Sequence, residues 1–147
     1  MNMDDSFNTC PYIDLNNGTI LDQEMEVIWK QEPPDFEMDT DEIYKYLTDI
    51  NKEDDYWRLP TIQEMIRLLN WINLNLELSP LLFRFPLTCQ CYMTSNKCNE
   101  FIHGAFVVKA NTLDIIGVDL IFGPRTKNLI CCIHNLSGDL KNVSSSI

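Results

Sequence analysis

Six cysteines and two histidines are the residues of this sequence whose side chains are best suited to chemistry. Thiolate and imidazole groups bind zinc, and a thiol beside an imidazole forms a nucleophile–base pair. The residues available for either arrangement are Cys89, Cys91, Cys98, His103, Cys131, Cys132 and His134. Their Cys-x-Cys and Cys-Cys spacings differ from the wider gaps typical of structural zinc sites. We therefore predict free, buried thiols, with no metal and no cofactor.

Strand geometry favours the same interpretation of these cysteines. Successive side chains of a strand point to opposite faces, so Cys89 and Cys91 share one face, whereas Cys131 and Cys132 lie on opposite faces. The sequence contains no nucleophile elbow, no paired-carboxylate motif and no glycine-rich phosphate loop. We predict that the protein is not an enzyme. A thiol-dependent enzyme that pairs a cysteine with His103 or His134 is the weaker alternative.

Charge is distributed unevenly along the 147 residues, whose formal net charge is −11. Sixteen of the 22 Asp and Glu residues lie within residues 1–55, together with three lysines. The chain lacks the basic footprint that phosphate backbones require, so no direct binding of nucleic acid is expected. An acidic surface instead steers association with a cationic protein surface. The predicted acidic face comprises Asp35, Glu37, Asp39, Asp41, Glu42, Asp49, Glu53, Asp54 and Asp55. The alternative is a solvated face that only maintains solubility.

The sequence shows no signal for membrane insertion or export. No run approaches the roughly 18 apolar residues of a membrane span. The first residues, Met1-Asn2-Met3-Asp4-Asp5, lack the basic and apolar regions of a signal peptide. We therefore expect a cytoplasmic protein with no membrane partner, located in the host cytoplasm if a phage encodes it. A reducing compartment also favours free thiols over disulfides.

The elements that position these residues begin with a predicted hairpin. Asn16-Asn17-Gly18 is a turn signal because Asn and Gly tolerate positive φ, so Tyr12–Ile20 is predicted to fold back on itself. The apolar segment Val27–Trp29 follows as the next strand. Pro33-Pro34 then ends any regular element.

A first helix is predicted to begin near Asp39. Asp39 and Glu42 form an Asp-x-x-Glu capping box, in which each side chain accepts a hydrogen bond from the other residue's backbone N–H. The apolar residues Ile43, Leu47 and Ile50 recur at helical spacing, which predicts that they form the buried face.

A second helix is predicted after Trp57-Arg58-Leu59-Pro60-Thr61. Thr61 and Glu64 form a Ser/Thr-x-x-Glu capping box, and Pro60 prevents the helix from extending backwards. Ser79-Pro80 is expected to end it. Its predicted apolar face comprises Ile62, Met65, Ile66, Leu69, Ile72 and Leu76.

Short apolar segments rich in β-branched and aromatic residues predict four strands in the second half of the chain. They are Leu87–Tyr92, Ala105–Lys109, Ile115–Phe122 and Leu129–His134. The sequence therefore predicts both helices and strands. We predict an N-terminal tail (1–11), a single domain (12–140) and a frayed C-terminal tail (141–147).

On four motifs, residues 12–136 resemble the Lcl C-terminal domain family of bacteria and phages. The motifs are Gly18-Thr19-Ile20 with Asp22 and Trp29, Trp57-Arg58-Leu59-Pro60-Thr61 with Glu64, Tyr92-Met93-Thr94-Ser95, and Cys132-Ile133-His134. Three positions differ from the family pattern: Glu26 replaces a Gly, Met93 a Trp and His134 an Arg. The resemblance implies an α+β, C-type-lectin-like fold with two helices packed on a small twisted antiparallel sheet. In this fold the structural residues are Gly18, Asp22, Trp29, Trp57, Arg58, Leu59, Pro60, Thr61, Glu64 and Tyr92.

The same resemblance implies a binding module for glycans or proteins. An aromatic sugar platform of Trp29, Trp57, Trp71 and Tyr92 is one interpretation, but such side chains in a small domain more often pack in the core. Arg58, which the family motif locates at a packing corner, is expected to pair with Asp54 or Asp55.

The function predicted from the sequence is therefore non-catalytic binding of a basic protein surface. If a phage or mobile element encodes the chain, a nucleic-acid-binding host defence protein is the candidate target, and the protein is then an inhibitor whose carboxylates mimic phosphates. The alternative is a glycan- or receptor-binding module of a phage tail or cell surface. The oligomeric state is not predicted.

Overall fold

The computed structural model describes residues 10–52, 56–85, 90–120 and 127–135, and within them the chain has an α+β fold. These ranges contain three helices and seven strands. In chain order the elements are β1 (Tyr12–Asp14), β2 (Thr19–Asp22), β3 (Val27–Lys30), α1 (Thr40–Ile50), α2 (Ile62–Leu74), α3 (Ser79–Leu82), β4 (Cys91–Met93), β5 (Gly104–Lys109), β6 (Ile115–Asp119) and β7 (Ile133–Asn135). Most of both predicted tails lies outside these ranges.

The strands form two small antiparallel sheets, where the sequence predicted one. The first has the order β1-β2-β3-β7, and the second has the order β4-β5-β6. The last described strand thus pairs with an early one, and Trp29 lies opposite Ile133. This pairing brings residues near the two ends of the described chain into the same sheet.

The turn of the first hairpin confirms the prediction from Asn16-Asn17-Gly18. Asn16 has φ of 60° and Gly18 has φ of 86°. Asn and Gly adopt this left-handed region at lower cost than other residues. The Asp14 carboxylate also accepts a hydrogen bond from the Asn16 N–H at 2.8 Å, which closes the turn.

Both predicted helix starts are confirmed. The Asp39 side chain accepts from the Glu42 N–H and the Glu42 side chain from the Asp39 N–H, at 2.9 and 3.1 Å. The Thr61 and Glu64 pair does the same for α2, at 3.2 and 2.8 Å. These side chains satisfy N–H groups that have no partner within the helix.

The predicted end of α2 is wrong. The helix ends at Leu74, so Leu76 lies beyond it and is 60% exposed. Ser79-Pro80 begins the short helix α3 instead of ending α2. Proline fits the first turn of a helix because its missing N–H has no partner to lose there.

The core consists of two apolar clusters on opposite faces of the strands. In β3, Val27 and Trp29 belong to the cluster that contains the buried face of α2, whereas Ile28 belongs to the cluster that contains Ile43 of α1. Side chains of a strand alternate between its faces, so neighbouring residues reach different clusters. The helices α1 and α2 therefore pack on opposite sides of the strands.

Residues 129–133 pass between these two clusters. Leu129, Cys131 and Ile133 belong to the α2 cluster, and Ile130 and Cys132 belong to the α1 cluster. The prediction of a continuous strand here is wrong, because the segment pairs with two different partners. Leu129 bridges to β4, whereas Ile133 bridges to Arg58 and pairs with β3.

The aromatic residues confirm the core interpretation. Trp29, Trp57 and Tyr92 are buried, and Trp57 belongs to a different cluster from the other two. They therefore form no shared exposed platform. Trp71 is half-buried, and its ring meets the Tyr12 ring edge-on, with 4.9 Å between centroids.

None of the helices in the described ranges has the length and apolar character needed to cross a bilayer.

Candidate protein-binding site

The segment from Gln31 to Tyr44 is acidic and contains no Lys or Arg. Its carboxylates are Glu32, Asp35, Glu37, Asp39, Asp41 and Glu42. Lys30 precedes the segment and Lys45 follows it, so six acids occur in succession without a neighbouring base in the sequence. Any surface made by this segment is therefore negative.

Met38 anchors this segment to the body of the protein. Its side chain is buried in the α1 cluster. Its backbone exchanges two hydrogen bonds with Asn128, at 2.8 and 3.0 Å. Because neighbouring residues of an extended segment point to opposite sides, burial of Met38 directs Glu37 towards solvent.

Four exposed carboxylates flank this anchor, and we call them the acidic patch: Asp35, Glu37, Asp41 and Glu42. Asp35 and Glu37 form no ion pair within the part of the chain that the structure describes. Glu42 lies 4.0 Å from the Lys127 ammonium group. Both of these side chains are well exposed, so the pair is weak and screened by salt.

Of the other described residues of the predicted acidic face, Asp39 adjoins the patch and Asp49 does not. Asp39 is half-buried, and its side chain caps α1. Asp49 lies near the far end of α1, about 12 Å along the axis from Asp41. Its carboxylate pairs with Lys52 at 3.4 Å. Glu53, Asp54 and Asp55 lie outside the described residues.

Three further acids of the N-terminal third form ion pairs with arginines. Arg67 of α2 forms ion pairs with buried Asp22 and with Glu24, the latter at 2.7 Å. Arg84 pairs with Glu32 at 3.2 Å. These pairs reduce the number of unpaired carboxylates in the negative surface suggested by the sequence. Sequence spacing did not indicate these pairs, because their members are separated by more than 40 residues.

Asp22 holds the turn between β2 and β3. Its carboxylate accepts hydrogen bonds from the backbone N–H groups of Glu24 and Met25, both at 3.1 Å. It thereby organises the turn between β2 and β3 while it pairs with Arg67. Burial and the negative charge of Asp22 raise the pKa of neighbouring Tyr12, so this phenol stays neutral.

Arg58 pairs with Glu64 in the described structure. Its guanidinium donates to both Glu64 carboxylate oxygens, at 2.8 and 2.9 Å, and to Asn135 at 2.9 Å. Two parallel bonds of this kind combine charge with a fixed geometry. The predicted partners Asp54 and Asp55 lie outside the described residues.

A cavity of about 380 Å³ adjoins the start of α1. Thr40 and Ile43 of α1 line one side, and Met93, Ile102 and Ala105 line its other walls. Most of this surface is apolar, and Lys97 and His103 also contribute to it. The sequence did not predict this cavity, because its lining comes from five separate segments of the chain. Ile43, Met93 and His103 were singled out for other reasons.

The described cysteines differ in burial. Cys98, Cys131 and Cys132 are buried, which confirms the prediction for them, and Cys91 is half-buried. Burial raises the pKa of Cys132 to about 12, against the opposing charge of Lys30. Burial also raises the pKa of Cys131. The thiols of Cys131 and Cys132 therefore stay protonated, whereas nucleophilic attack needs the thiolate.

Cys131 and Cys132 belong to opposite clusters, as their sequence positions predicted. Within the described ranges, no three His, Cys, Asp or Glu side chains are grouped to hold a metal ion. Cys89, another of the candidate ligands, lies outside those ranges.

Comparison of the chain with protein-family models and with curated protein sequences finds no match to either.

Proposed function

We propose that this protein is a non-catalytic acidic interaction module that binds a basic surface of another protein through the acidic patch. The observation that supports this most directly is the patch itself. Four exposed carboxylates are held on a segment without Lys or Arg, next to the buried anchor Met38. Exposed charges of one sign raise the rate of encounter with an oppositely charged surface.

The partner class that best fits this patch is a nucleic-acid-binding protein. Such proteins already carry clustered Lys and Arg side chains that neutralise phosphates. Exposed carboxylates that form ion pairs with those Lys and Arg side chains prevent phosphates from binding to them. An inhibitor that acts in the cytoplasm, in the host cytoplasm if a phage encodes it, is the form of this function that we favour.

The finer fold that we propose is C-type-lectin-like and similar to the Lcl C-terminal domains. Two features of the chain support this resemblance. Trp57-Arg58-Leu59-Pro60-Thr61 leads into a capped helix, and Arg58 and Glu64 join at that corner. Glu26 has φ of 56° at the position where the family carries glycine, the residue that adopts such values most readily.

Copurification from native lysate tests the proposed function. The variant Asp35→Asn/Glu37→Gln removes two carboxylates of the patch that hold no ion pair in the described structure. Glu77→Gln/Asp114→Asn removes the same charge at exposed positions outside the patch and is the matched control. We expect the wild type and the control to retain a basic partner that the patch variant loses.

Two further measurements sharpen this experiment. Binding of the recovered partner should weaken steeply with salt, because exposed charges are screened beyond about 8 Å at physiological ionic strength. An oligonucleotide should compete with the protein for a nucleic-acid-binding partner. Recovery of the same partner in the same amount by the patch variant would contradict the proposal.

A further inference from the structure

The cavity beside α1 is built to hold an apolar group. Ile43, Met93 and Ala105 are buried and form part of its surface. The volume of about 380 Å³ lies near the lower end of the range for ligand pockets, about 300–1,000 Å³. A space of this size and character fits one bulky apolar side chain.

Ile102 lies at the rim of this cavity and is 87% exposed. It belongs to the turn segment that precedes β5. Because it is not part of a strand or a helix, the alternation of a regular element does not force its side chain towards solvent. An exposed isoleucine beside an apolar cavity extends the surface that an incoming side chain covers. Protein interfaces commonly combine such an apolar centre with a charged rim.

The cavity and the acidic patch share the first turns of α1. Thr40 and Ile43 line the cavity, while Asp41 and Glu42 occupy the positions between them and are exposed. Tyr44 follows Thr40 by one turn, lies on the same side of the helix, and is 75% exposed. A bound segment that fills the cavity therefore passes close to the patch.

Charged groups of both signs adjoin the cavity. Asp41 and Glu42 of the acidic patch lie on the helix that lines it, and Lys97 is part of its lining. Asp41 and Glu42 attract the cations of a bound segment, whereas the Lys97 ammonium group repels them.

We infer that the cavity receives one bulky apolar side chain of the basic partner segment whose cations contact the acidic patch. This inference rests on the proposed function and specifies the partner's chemistry. The recognised element is a Lys/Arg-rich segment with a single aromatic or large aliphatic residue. The patch supplies attraction to the charges, and the cavity supplies selectivity for the apolar residue.

Two labelled peptides test the inference by fluorescence anisotropy. Both have four Lys or Arg residues on each side of a central residue, which is Phe in one and Ala in the other. Burial of the Phe ring is expected to tighten binding to the wild type by about ten-fold or more relative to the Ala peptide. The Met93 and Ala105 methyl signals should shift in NMR spectra with the Phe peptide only.

Two surface variants test whether the preference for the Phe peptide arises at the cavity. Ile102→Ser removes the apolar rim and is expected to reduce the preference for Phe by several-fold. Leu81→Ser changes a residue that is 73% exposed and lies on α3, outside the cavity, so it should keep the preference. Because both side chains are exposed, neither change is expected to prevent folding.

The outcomes separate this inference from the proposed function. Asp35→Asn/Glu37→Gln should weaken both peptides by the same factor. Equal binding of the Phe and Ala peptides, with that patch dependence retained, overturns the cavity inference and leaves the proposed function supported. Failure of the wild type to bind either peptide at low salt overturns both. A Phe preference unchanged by Ile102→Ser, without shifts at Met93 and Ala105, also overturns the inference.

Discussion

At the scale of single residues, Glu64 has two structural roles. Its carboxylate caps α2 through the Thr61 N–H and receives both bonds of the Arg58 guanidinium. Burial opposes its ionisation, but the hydrogen bonds from Arg58 and Thr61 outweigh burial, and the pKa of Glu64 is lowered. The ionised form is therefore favoured by folding, which links stability to pH.

Glu64→Gln tests this link. A group whose pKa is lower in the folded state contributes stability that is fully present above its unfolded pKa, about 4.3, and is lost as pH falls through the folded pKa. Gln keeps the capping hydrogen bond but removes the charge that pairs with Arg58. We expect a loss of about 1–3 kcal/mol in the free energy of unfolding at neutral pH.

Urea denaturation between pH 3 and pH 7 measures this effect. The difference between wild type and Glu64→Gln should shrink as the pH falls below about 4. Asp114→Asn removes an exposed carboxylate and serves as the control. A difference in the free energy of unfolding that stays constant from pH 3 to pH 7 would show that the Arg58 pair does not depend on Glu64 ionisation.

At the scale of elements, the start of α1 supports both stability and the candidate site. The Asp39 capping box fixes the first turn, which carries Asp41 and Glu42 of the acidic patch. Helix starts also favour negative side chains, because the unpaired N–H groups there carry partial positive charge. These acids therefore stabilise the helix that presents them.

Asp39→Ala is expected to lower the free energy of unfolding by about 1 kcal/mol, because it removes the side chain that accepts from the Glu42 N–H. Hydrogen exchange of the Glu42 amide should accelerate more than exchange in α2. Asp39→Asn, which preserves an acceptor at the cap, is the control. Equal stability of the Ala and Asn variants would mean that the cap contributes little to α1.

At the scale of the whole molecule, the two clusters depend on the segment that separates them. Cys131 and Cys132 lie between α2 on one side and α1 on the other. Burial raises the pKa of both thiols. A reagent reaches them only when the sheets and helices separate, so their reactivity reports opening of the whole domain.

Thiol labelling followed by mass spectrometry tests this arrangement. In native buffer, Cys10 and Cys91, which are half-buried, should react with iodoacetamide faster than Cys131 and Cys132. Labelling of the buried pair should increase with urea in parallel with the unfolding transition. Equal rates for Cys131 and Cys10 in native buffer would contradict a core that opens as one unit.

The acidic patch is also a property of the whole molecule, because distant arginines decide which carboxylates remain unpaired. Arg67 and Arg84 form ion pairs with Asp22, Glu24 and Glu32, while Asp35 and Glu37 hold no ion pair in the described structure. Net charge alone predicted an acidic protein. It did not predict which of the described carboxylates form ion pairs.

The sequence by itself determined the features that depend on neighbouring residues. Both capping boxes join residues three apart, and the Asn-Gly turn needs only local φ preferences, so the helix starts and the first hairpin were predicted correctly. The alternation of Cys131 and Cys132 followed from strand geometry alone. The end of α2 was missed because Leu76 fits the helical spacing, although the chain leaves the helix before it.

Tertiary structure decided what depends on distant pairing. Arg58 reaches Asn135 across 77 positions of sequence, and Arg67 reaches Asp22 across 45. The division into two sheets and the cavity beside α1 likewise require segments that meet only in the folded chain. Such contacts carry no periodic signal in the sequence, because each forms only when the packing of the two clusters brings its partners together.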